Sequence, residues 1–185
     1  MTPTGQFCCS FFVPGVPKAQ PRARSFVLRG RGGKPILSKT GQPIIRVHEA
    51  GTAEHWKSQI AQAAKEFVPM PPLQGPLRVS IEFIFPRPKS HFRSNGDLKL
   101  NATHWHISRP DVENLKKAVF DALTTIGMWG DDCQICEDPG RKVYFTPTSD
   151  NRWGSAGALI RINQLPEPNQ TAAPPPAKQT ALFED

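Results

Sequence analysis

Long apolar runs are absent from this chain. No stretch approaches the roughly 18 consecutive apolar residues of a membrane span, so no segment is expected to cross a bilayer. Basic residues are absent before Lys18, and the opening MTPTGQFCCSFFVPG therefore lacks the positive flank of a secretory signal. Cysteine is sparse: Cys8 and Cys9 form one close pair, Cys133 and Cys136 another. In a chain without an export signal, that usage points to a reduced, cytoplasmic protein and away from a disulfide scaffold. Gly-Lys-Ser/Thr does not occur, which removes the phosphate-cradling loop of nucleotide hydrolases. No internal repeat of solenoid or propeller length is visible. Acidic residues are missing from the first 48 positions, which hold eight Lys and Arg residues before Glu49.

What is present fits one domain with a tail. The chain has 185 residues, enough to bury a core without disulfides. Its 23 Lys and Arg against 16 Asp and Glu give a net charge of +7, which favours an anionic partner, nucleic acid first. The 20 prolines are unevenly placed. Residues 165–185 hold Pro166, Pro168 and Pro174 to Pro176, one base and three acids, a composition that cannot bury enough apolar surface to fold. They are read as a disordered tail, leaving residues 1–164 as the folded domain with a net +9.

Hydrophobic patterning in that domain predicts a mixed α/β (α+β) fold, a small mixed sheet packed with two main helices. Phe7 to Val13 reads as a strand stopped at Pro14-Gly15. Residues 17–51 form a long basic loop with a hairpin around Thr40-Gly41. Thr52 caps a helix running to Val68, with Trp56, Ile60, Ala64 and Phe67 on one face. Leu77, Val79, Ile81, Phe83 and Phe85 alternate with polar residues as the clearest strand. A second basic loop, 86–108, leads to a helix from Pro110-Asp111 to Ile126. Its apolar face is Val112, Leu115, Val119, Ala122 and Ile126, and Gly127 ends it. Gln134 to Phe145 reads as a strand turned at Asp138-Pro139-Gly140, and Ala158 to Ile162 as a closing strand.

The chemistry concentrates in two short stretches. Asp111 and Glu113 open the second helix, and Asp131 and Asp132 stand where a loop enters a strand. Should that strand lie beside the helix start, the carboxylates converge into a set of hard oxygen donors suited to Mg²⁺ or Mn²⁺. Lys117, one turn beyond Glu113, would offset charge on a phosphate held there. The same residues also admit a plain reading. Acids in a first helical turn are favoured by the helix dipole alone, and Glu113 with Lys117 makes an ordinary i,i+4 surface pair.

The order Pro110-Asp-x-Glu113-Asn-Leu-x-Lys117-Ala-x-x-Asp121-Ala-Leu, then Asp131-Asp132-x-Gln134, resembles the signature of the RusA-type Holliday junction resolvases, common in phages and prophages. The opening Val13-Pro-Gly-Val-Pro-Lys-Ala-Gln-Pro-Arg-Ala-Arg24 is similar to that family's basic loop after its first strand. The resemblance spans about residues 7–163, with the specific signature in residues 110–134. It implies a homodimeric endonuclease that cuts four-way DNA junctions by paired symmetric nicks, using Mg²⁺ or Mn²⁺. Residue by residue, Asp111, Glu113 and Asp132 match the metal-binding acids and Lys117 the catalytic lysine. Asp131 matches the first acid of the Asp-Asp pair, and Asp121 is placed to orient Lys117. Glu113 departs from the family's usual Asp, and its extra methylene bears on a rigid octahedral Mg²⁺. The implied mechanism is in-line phosphodiester hydrolysis leaving a 5′-phosphate and a 3′-hydroxyl. Lys18, Arg22, Arg24, Arg29, Arg31, Arg87, Lys89 and Arg93 are the candidate DNA contacts, about half of them expected to reach a phosphate.

Other features stand outside that signature. Gln179-x-x-Leu182-Phe183 resembles the short peptide by which bacterial replication proteins dock on the DNA sliding clamp, with Leu182 and Phe183 filling an apolar pocket and Gln179 adding hydrogen bonds. Cys133-Gln-Ile-Cys136 is a lone Cys-x-x-Cys. Zinc would need two further ligands, with Cys8, Cys9, His104 and His106 as the local candidates, and buried core cysteines are the expectation. Two alternatives remain open on the residues alone: a nuclease preferring flaps or forks, and a DNA-binding adaptor on the clamp in which Glu113 marks a decayed site.

Overall fold

The computed structural model describes residues 6–21, 23–49, 53–146 and 154–166. Within them the chain forms β1 (Gln6–Pro14), β2 (Ala23–Val27), β3 (Ile45–Glu49), α1 (Glu54–Ala64), β4 (Leu77–Phe85), α2 (Val112–Thr125), β5 (Ile135–Glu137), β6 (Gly140–Tyr144) and β7 (Gly157–Gln164). The sheet runs β1-β7-β4-β5, with β6 on the same edge of β4 as β5. β1 and β4 flank β7 antiparallel, whereas β5 and β6 run parallel to β4. Parallel pairing needs a crossover, and the segment carrying α2 supplies it. The mixed fold read from the patterning is the one observed.

The period-two pattern of β4 explains its central place. Leu77, Val79, Ile81, Phe83 and Phe85 are buried, and Ile84 is buried as well. Phe11 and Val13 of β1 and Ala158, Ile160 and Ile162 of β7 join them beneath the helices. From α1 come Trp56, Ile60 and Ala64, and from α2 Leu115, Ala118, Val119, Ala122 and Leu123. Phe67 departs from expectation. The helix tightens into a 3-10 turn over Lys65–Phe67, which takes Phe67 off the buried stripe and leaves it 40% exposed, stacked on Phe11. The cap expected at Thr52 falls outside the described residues, and Ala53 stands at the N-cap position.

The long basic loop is an antiparallel ribbon. β2 pairs with β3, and the connection folds back through bridges at Arg29–Pro35 and Leu37–Pro43. Its turn closes where Gly41 N–H donates to the Ser38 carbonyl, with Gly41 at φ 78°, a left-handed conformation that suits glycine. The strand after the Asp-Asp pair breaks into β5 and β6 at Asp138-Pro139, as the turn residues predict. Cys133 and Cys136 are exposed rather than buried, Cys133 on the 3-10 turn over Asp132–Gln134 and Cys136 on the three-residue edge strand β5; Cys9 is the buried cysteine. No helix among the described residues is long and apolar enough to cross a membrane. The tail peptide Gln179, Leu182 and Phe183 lies outside the described residues.

Candidate active site

The start of α2 is fixed from below by β6. Lys142 Nζ donates to the carbonyls of Ser108 (2.6 Å) and Pro110 (2.7 Å), pinning the segment that delivers Asp111. His106 N–H donates to the Lys142 carbonyl, and Tyr144 N–H to that of His104. His106 lies stacked on Phe85 at 4.0 Å between ring centres, with Tyr144 at 4.9 Å. Its Nδ1 is buried without a hydrogen-bond partner. Burial, and secondarily the Lys142 charge, push the imidazole below its ordinary value despite an opposing backbone hydrogen bond. His104 and His106 thus hold the approach to α2, and His106 in particular is a packing residue.

Asp111 is the N-cap residue of α2 but makes no capping bond through its side chain. Its carboxylate is exposed and, among the described residues, accepts only a long 3.4 Å contact from Asn114 Nδ2. An N-cap carboxylate left uncommitted at the positive end of a helix is available to a cation or to a solvated partner. The basic opening loop reaches this same turn. Gln20 N–H donates to the Asn114 carbonyl at 2.8 Å, which brings the exposed Lys18 segment to the acid-bearing end of α2.

Glu113 is committed to a neighbour that sequence reasoning passed over. Lys116, its side chain only 8% exposed, places Nζ 2.8 Å from Glu113 Oε1 and 2.7 Å from Asp138 Oδ2, and also donates to the Asp138 carbonyl at 3.3 Å. Burial alone would lower the Lys116 pKa. The hydrogen bonds to Asp138 and Glu113 outweigh it, so the pKa is raised above its ordinary value. Lys117, the residue matched to the catalytic lysine, is exposed and forms no salt bridge among the described residues. Asp121, at i+4 from Lys117, forms no salt bridge with it among the described residues. It accepts from Lys57 Nζ of α1 at 3.2 Å, so its observed role is to tie the two helices together.

The Asp-Asp loop is organised by Gln134. The Gln134 side-chain oxygen accepts from the N–H groups of Gly130 (2.9 Å) and Asp131 (3.2 Å). Its amide nitrogen donates to the carbonyls of Leu73 and Gly75. Asp131 completes the capping box by accepting from Cys133 N–H at 2.8 Å. That backbone bond, with help from the Cys133 thiol, holds the Asp131 carboxyl below its usual range, while the thiol's own hydrogen bond to the Asp131 carboxylate pushes the Cys133 thiol up. Asp131 is therefore a capping residue here. Asp132 follows it on an exposed corner.

The two acid groups stand at different levels of the sheet. Ile135, just after Asp132, lies opposite Leu77 of β4, whereas Gly140, which touches the first turn of α2, lies opposite Ile81. That offset is about 13 Å of strand. Among the described residues no three His, Cys, Asp or Glu side chains gather closely enough to hold a metal ion. The convergence expected of Asp111, Glu113 and Asp132 is thus not drawn together in this conformation. The donor chemistry itself, exposed carboxylates with neither imidazole nor thiolate in the set, fits a hard divalent cation.

The candidate DNA contacts divide. Lys18, Arg31, Lys89 and Arg93 are exposed. Arg29 is exposed but bonds back to the Gly33 carbonyl at 2.7 Å. Arg24 lies in β2, and Arg22 is outside the described residues. Arg87 is a structural clamp. It donates from Nε to the Phe145 carbonyl, from Nη1 to the Thr103 carbonyl and from Nη2 to Thr146 Oγ1, each at 2.8 Å; Nη1 also lies 3.2 Å from His91 Nδ1. Its guanidinium also covers the Tyr144 ring at 5.7 Å. With those donors spent on the loop, little remains for a phosphate. Lys116 and Lys142 are the residues that sequence reasoning missed as parts of the site, and Gln134 was read only as part of the signature, without its role in holding the loop. The signal for Lys116 was its position: it shares the Val112, Val119 and Leu123 face, where a lysine is buried only if paired.

Residues 14–148 match the family model for endodeoxyribonuclease RusA, covering both the opening loop and the two acid stretches. The chain is 27% identical over 141 residues to the uncharacterised protein YqaN of Bacillus subtilis strain 168, covering 74% of this chain and 88% of that protein. It is 35% identical over 69 residues to the crossover junction endodeoxyribonuclease RusA of Lactococcus phage r1t, a match over 31% of this chain and 53%, about half, of the phage protein. A family match of that extent, over the same residues that build the start of α2 and the Asp-Asp loop, shows that this chain belongs to the RusA endodeoxyribonuclease family.

Proposed function

We propose that this protein is an endonuclease that resolves four-way DNA junctions by paired hydrolysis of phosphodiester bonds. The observation that carries the reading is the family match across residues 14–148, a range that takes in α2 and both acid stretches. The tether from Gln20 to Asn114 supports it, since it sets a basic loop beside the uncommitted Asp111 carboxylate. In a protein that merely bound DNA, acids beside the basic loop would repel the phosphates.

Asp111, Glu113 and Asp132 are the residues proposed to hold Mg²⁺ or Mn²⁺, which when bound supplies Lewis acidity at a phosphate oxygen and lowers the pKa of a water. The protein's own contributions are distinct. Lys117, exposed one turn above Glu113, supplies a positive charge to the phosphate as negative charge builds on it. Lys142 and Gln134 hold the two acid-bearing loops in place. In the step proposed, a water oxygen bonds to phosphorus and gives up a proton to solvent, the P–O3′ bond breaks in line, and the 3′-oxygen leaves as a hydroxyl after taking a proton from solvent. A two-fold homodimer suits the four-way substrate, because two symmetric nicks resolve it. Binding is proposed to rest on phosphates and junction shape rather than on base sequence. The tail peptide ending in Leu182 and Phe183 is proposed to dock on a sliding clamp.

The test is cleavage of a synthetic four-way junction beside duplex, flap and fork controls, with Mg²⁺, Mn²⁺ or chelator, for the wild type and Asp132→Asn. Paired symmetric nicks that need metal and vanish in the variant are expected. Preferential cutting of flaps or forks would move the substrate. Tight junction binding without cutting in either metal would leave a DNA-binding adaptor.

A further inference from the structure

The face of the sheet turned away from the helices carries a basic groove that none of the site residues above explains. Because β4 buries Leu77, Val79 and Ile81 beneath the helices, Arg78, Ser80 and Glu82 project from the opposite face. On β7 the alternation does the same for Arg161, the one exposed residue in an otherwise buried run from Gly157 to Ile162. These residues and Arg141 of β6 line a concavity of about 270 Å³.

The charges in the groove are arranged around Arg161. Arg78 pairs with Glu137 at 3.0 Å, and Arg141 pairs with Glu82 at 2.7 Å. Arg161 sits between these two ion pairs and has no salt bridge or hydrogen bond of its own among the described residues. Its register partners are serines on both sides, Ser80 on β4 and Ser10 on β1. A cross-strand neighbour lies about 5 Å away, so two hydroxyl donors flank an unpaired guanidinium. Acids opposite Arg161 would have neutralised it; serines leave its fork of donors open. A planar guanidinium beside hydroxyls is the donor set of a phosphodiester.

Position links the groove to the proposed active site. Gly140 lines the groove, and it is also where β6 meets α2. A Cβ there would stand 3.1 Å from both Val112 Cγ2 and Lys116 Cδ. The groove and the acid-bearing turn of α2 are therefore on opposite sides of one edge strand. We infer that the Arg161 groove binds a backbone phosphate of the DNA, so that the substrate wraps the β6 edge from the α2 acids to the outer face of the sheet. This inference rests on the endonuclease reading and adds to it a second contact surface, absent from the basic loops.

The test is binding of a fluorescent four-way junction to the full-length protein in chelator, across a salt series, for the wild type, Arg161→Gln and Arg161→Lys. Matched melting curves confirm that the exposed substitutions leave the fold intact. Loss of one phosphate contact lowers the slope of log affinity against log salt by about 0.9 and weakens binding at 0.1 M salt by about eightfold. Arg161→Gln is expected to show both changes, and Arg161→Lys to keep the slope with part of the affinity. A wild type that binds the junction, with an Arg161→Gln variant of unchanged slope, overturns the groove and leaves the endonuclease reading standing. A wild type with no affinity for the junction overturns both. Two further arms also refute it. One is stabilisation of the wild type but not Arg161→Gln by inorganic phosphate at matched ionic strength, with the DNA slope unchanged, which makes the groove a site for free phosphate. The other is conversion of a dimer to a monomer by Arg161→Gln in sedimentation, which makes it a contact between copies of the chain.

Discussion

Replacing Lys116 by methionine isolates the least expected interaction in the site. Methionine keeps an unbranched stem to pack against Gly140, where the Lys116 methylenes now lie, and removes the ammonium. Three hydrogen-bonded contacts go with it, at 2.8 Å to Glu113, 2.7 Å to Asp138 Oδ2 and 3.3 Å to the Asp138 carbonyl. A charged hydrogen bond contributes about 1.5–3 kcal/mol, but the partners here recover water to different degrees. Glu113 is 67% exposed and resolvates with little loss, so its share is discounted towards the surface-pair range of about 0–1 kcal/mol. Asp138 is 46% exposed and carries most of the remainder. The sum expected is about 2 kcal/mol. At roughly 2–4 °C per kcal/mol for a domain of this size, the melting temperature falls by about 4–8 °C. A double-mutant cycle with Asp138→Asn separates the pair from general packing, and a coupling of at least about 1 kcal/mol is expected. The pH dependence follows from the raised pKa of Lys116. Its contribution is complete below the ordinary lysine value and is lost as pH rises through the folded-state value, so the two proteins converge in stability only at strongly alkaline pH. A variant that melts within about 1 °C of the wild type, with no coupling to Asp138, would refute this account of how the start of α2 is held.

Four other outcomes follow from the same structure. Asp111→Asn and Asp132→Asn should each lower junction cleavage by roughly 10²–10³ while leaving the melting temperature close to that of the wild type, since neither carboxylate holds a buried group. Arg87→Gln should cost about 1.5–3 kcal/mol in urea denaturation and leave the salt slope of junction binding unchanged; a reduced slope would make Arg87 a DNA contact instead. Because burial and Lys142 depress the pKa of His106, the folded state resists its protonation. Stability should therefore be complete above the ordinary histidine value and fall as pH drops below it, and His106→Phe should flatten that fall in thermal melts. Leu182→Ala with Phe183→Ala should abolish capture of the full-length protein by an immobilised sliding clamp, if the tail peptide docks as its sequence suggests.

The parts of the fold legible in the sequence are those governed by local periodicity. β4 and α2 declare themselves because Leu77 to Phe83 alternate strictly and Leu115, Val119 and Ala122 recur at helical spacing. The break at Asp138-Pro139-Gly140 and the ribbon turn at Thr40-Gly41 were readable from turn chemistry alone. What was not legible depends on which side chain the tertiary fold brings near. Glu113 has a lysine at i+3 and another at i+4, and nothing local chooses between them. The choice falls to Lys116 because the β5–β6 turn delivers Asp138 to that side of the helix. Arg87 looks like any loop arginine until Thr103 and Phe145, far away in sequence, present their carbonyls to it.

The same contrast bears on how an active site of this kind is built. Two of the charges matched to the reaction by resemblance are uncommitted: Asp111 makes no capping bond through its side chain, and Lys117 forms no salt bridge among the described residues. The residues around them, Lys116, Lys142 and Gln134, are bonded to backbone or paired on several sides. Glu113 is the exception, since it is matched to a metal-binding acid yet paired with Lys116. A Glu at that position can reach Lys116 with its longer side chain, and a cation recruiting Glu113 must compete with that ammonium. Glu113→Asp shortens the reach and should weaken the pair with Lys116, at a cost in stability below about 1 kcal/mol because Glu113 is mostly exposed. It should also lower the Mg²⁺ concentration needed for half-maximal junction cleavage, since the ammonium no longer competes as well for the carboxylate. The measurement is a Mg²⁺ titration of cleavage alongside a melt of the same two proteins. A higher Mg²⁺ requirement in Glu113→Asp would show that the longer side chain is fitted to the cation and that the pair with Lys116 does not oppose it.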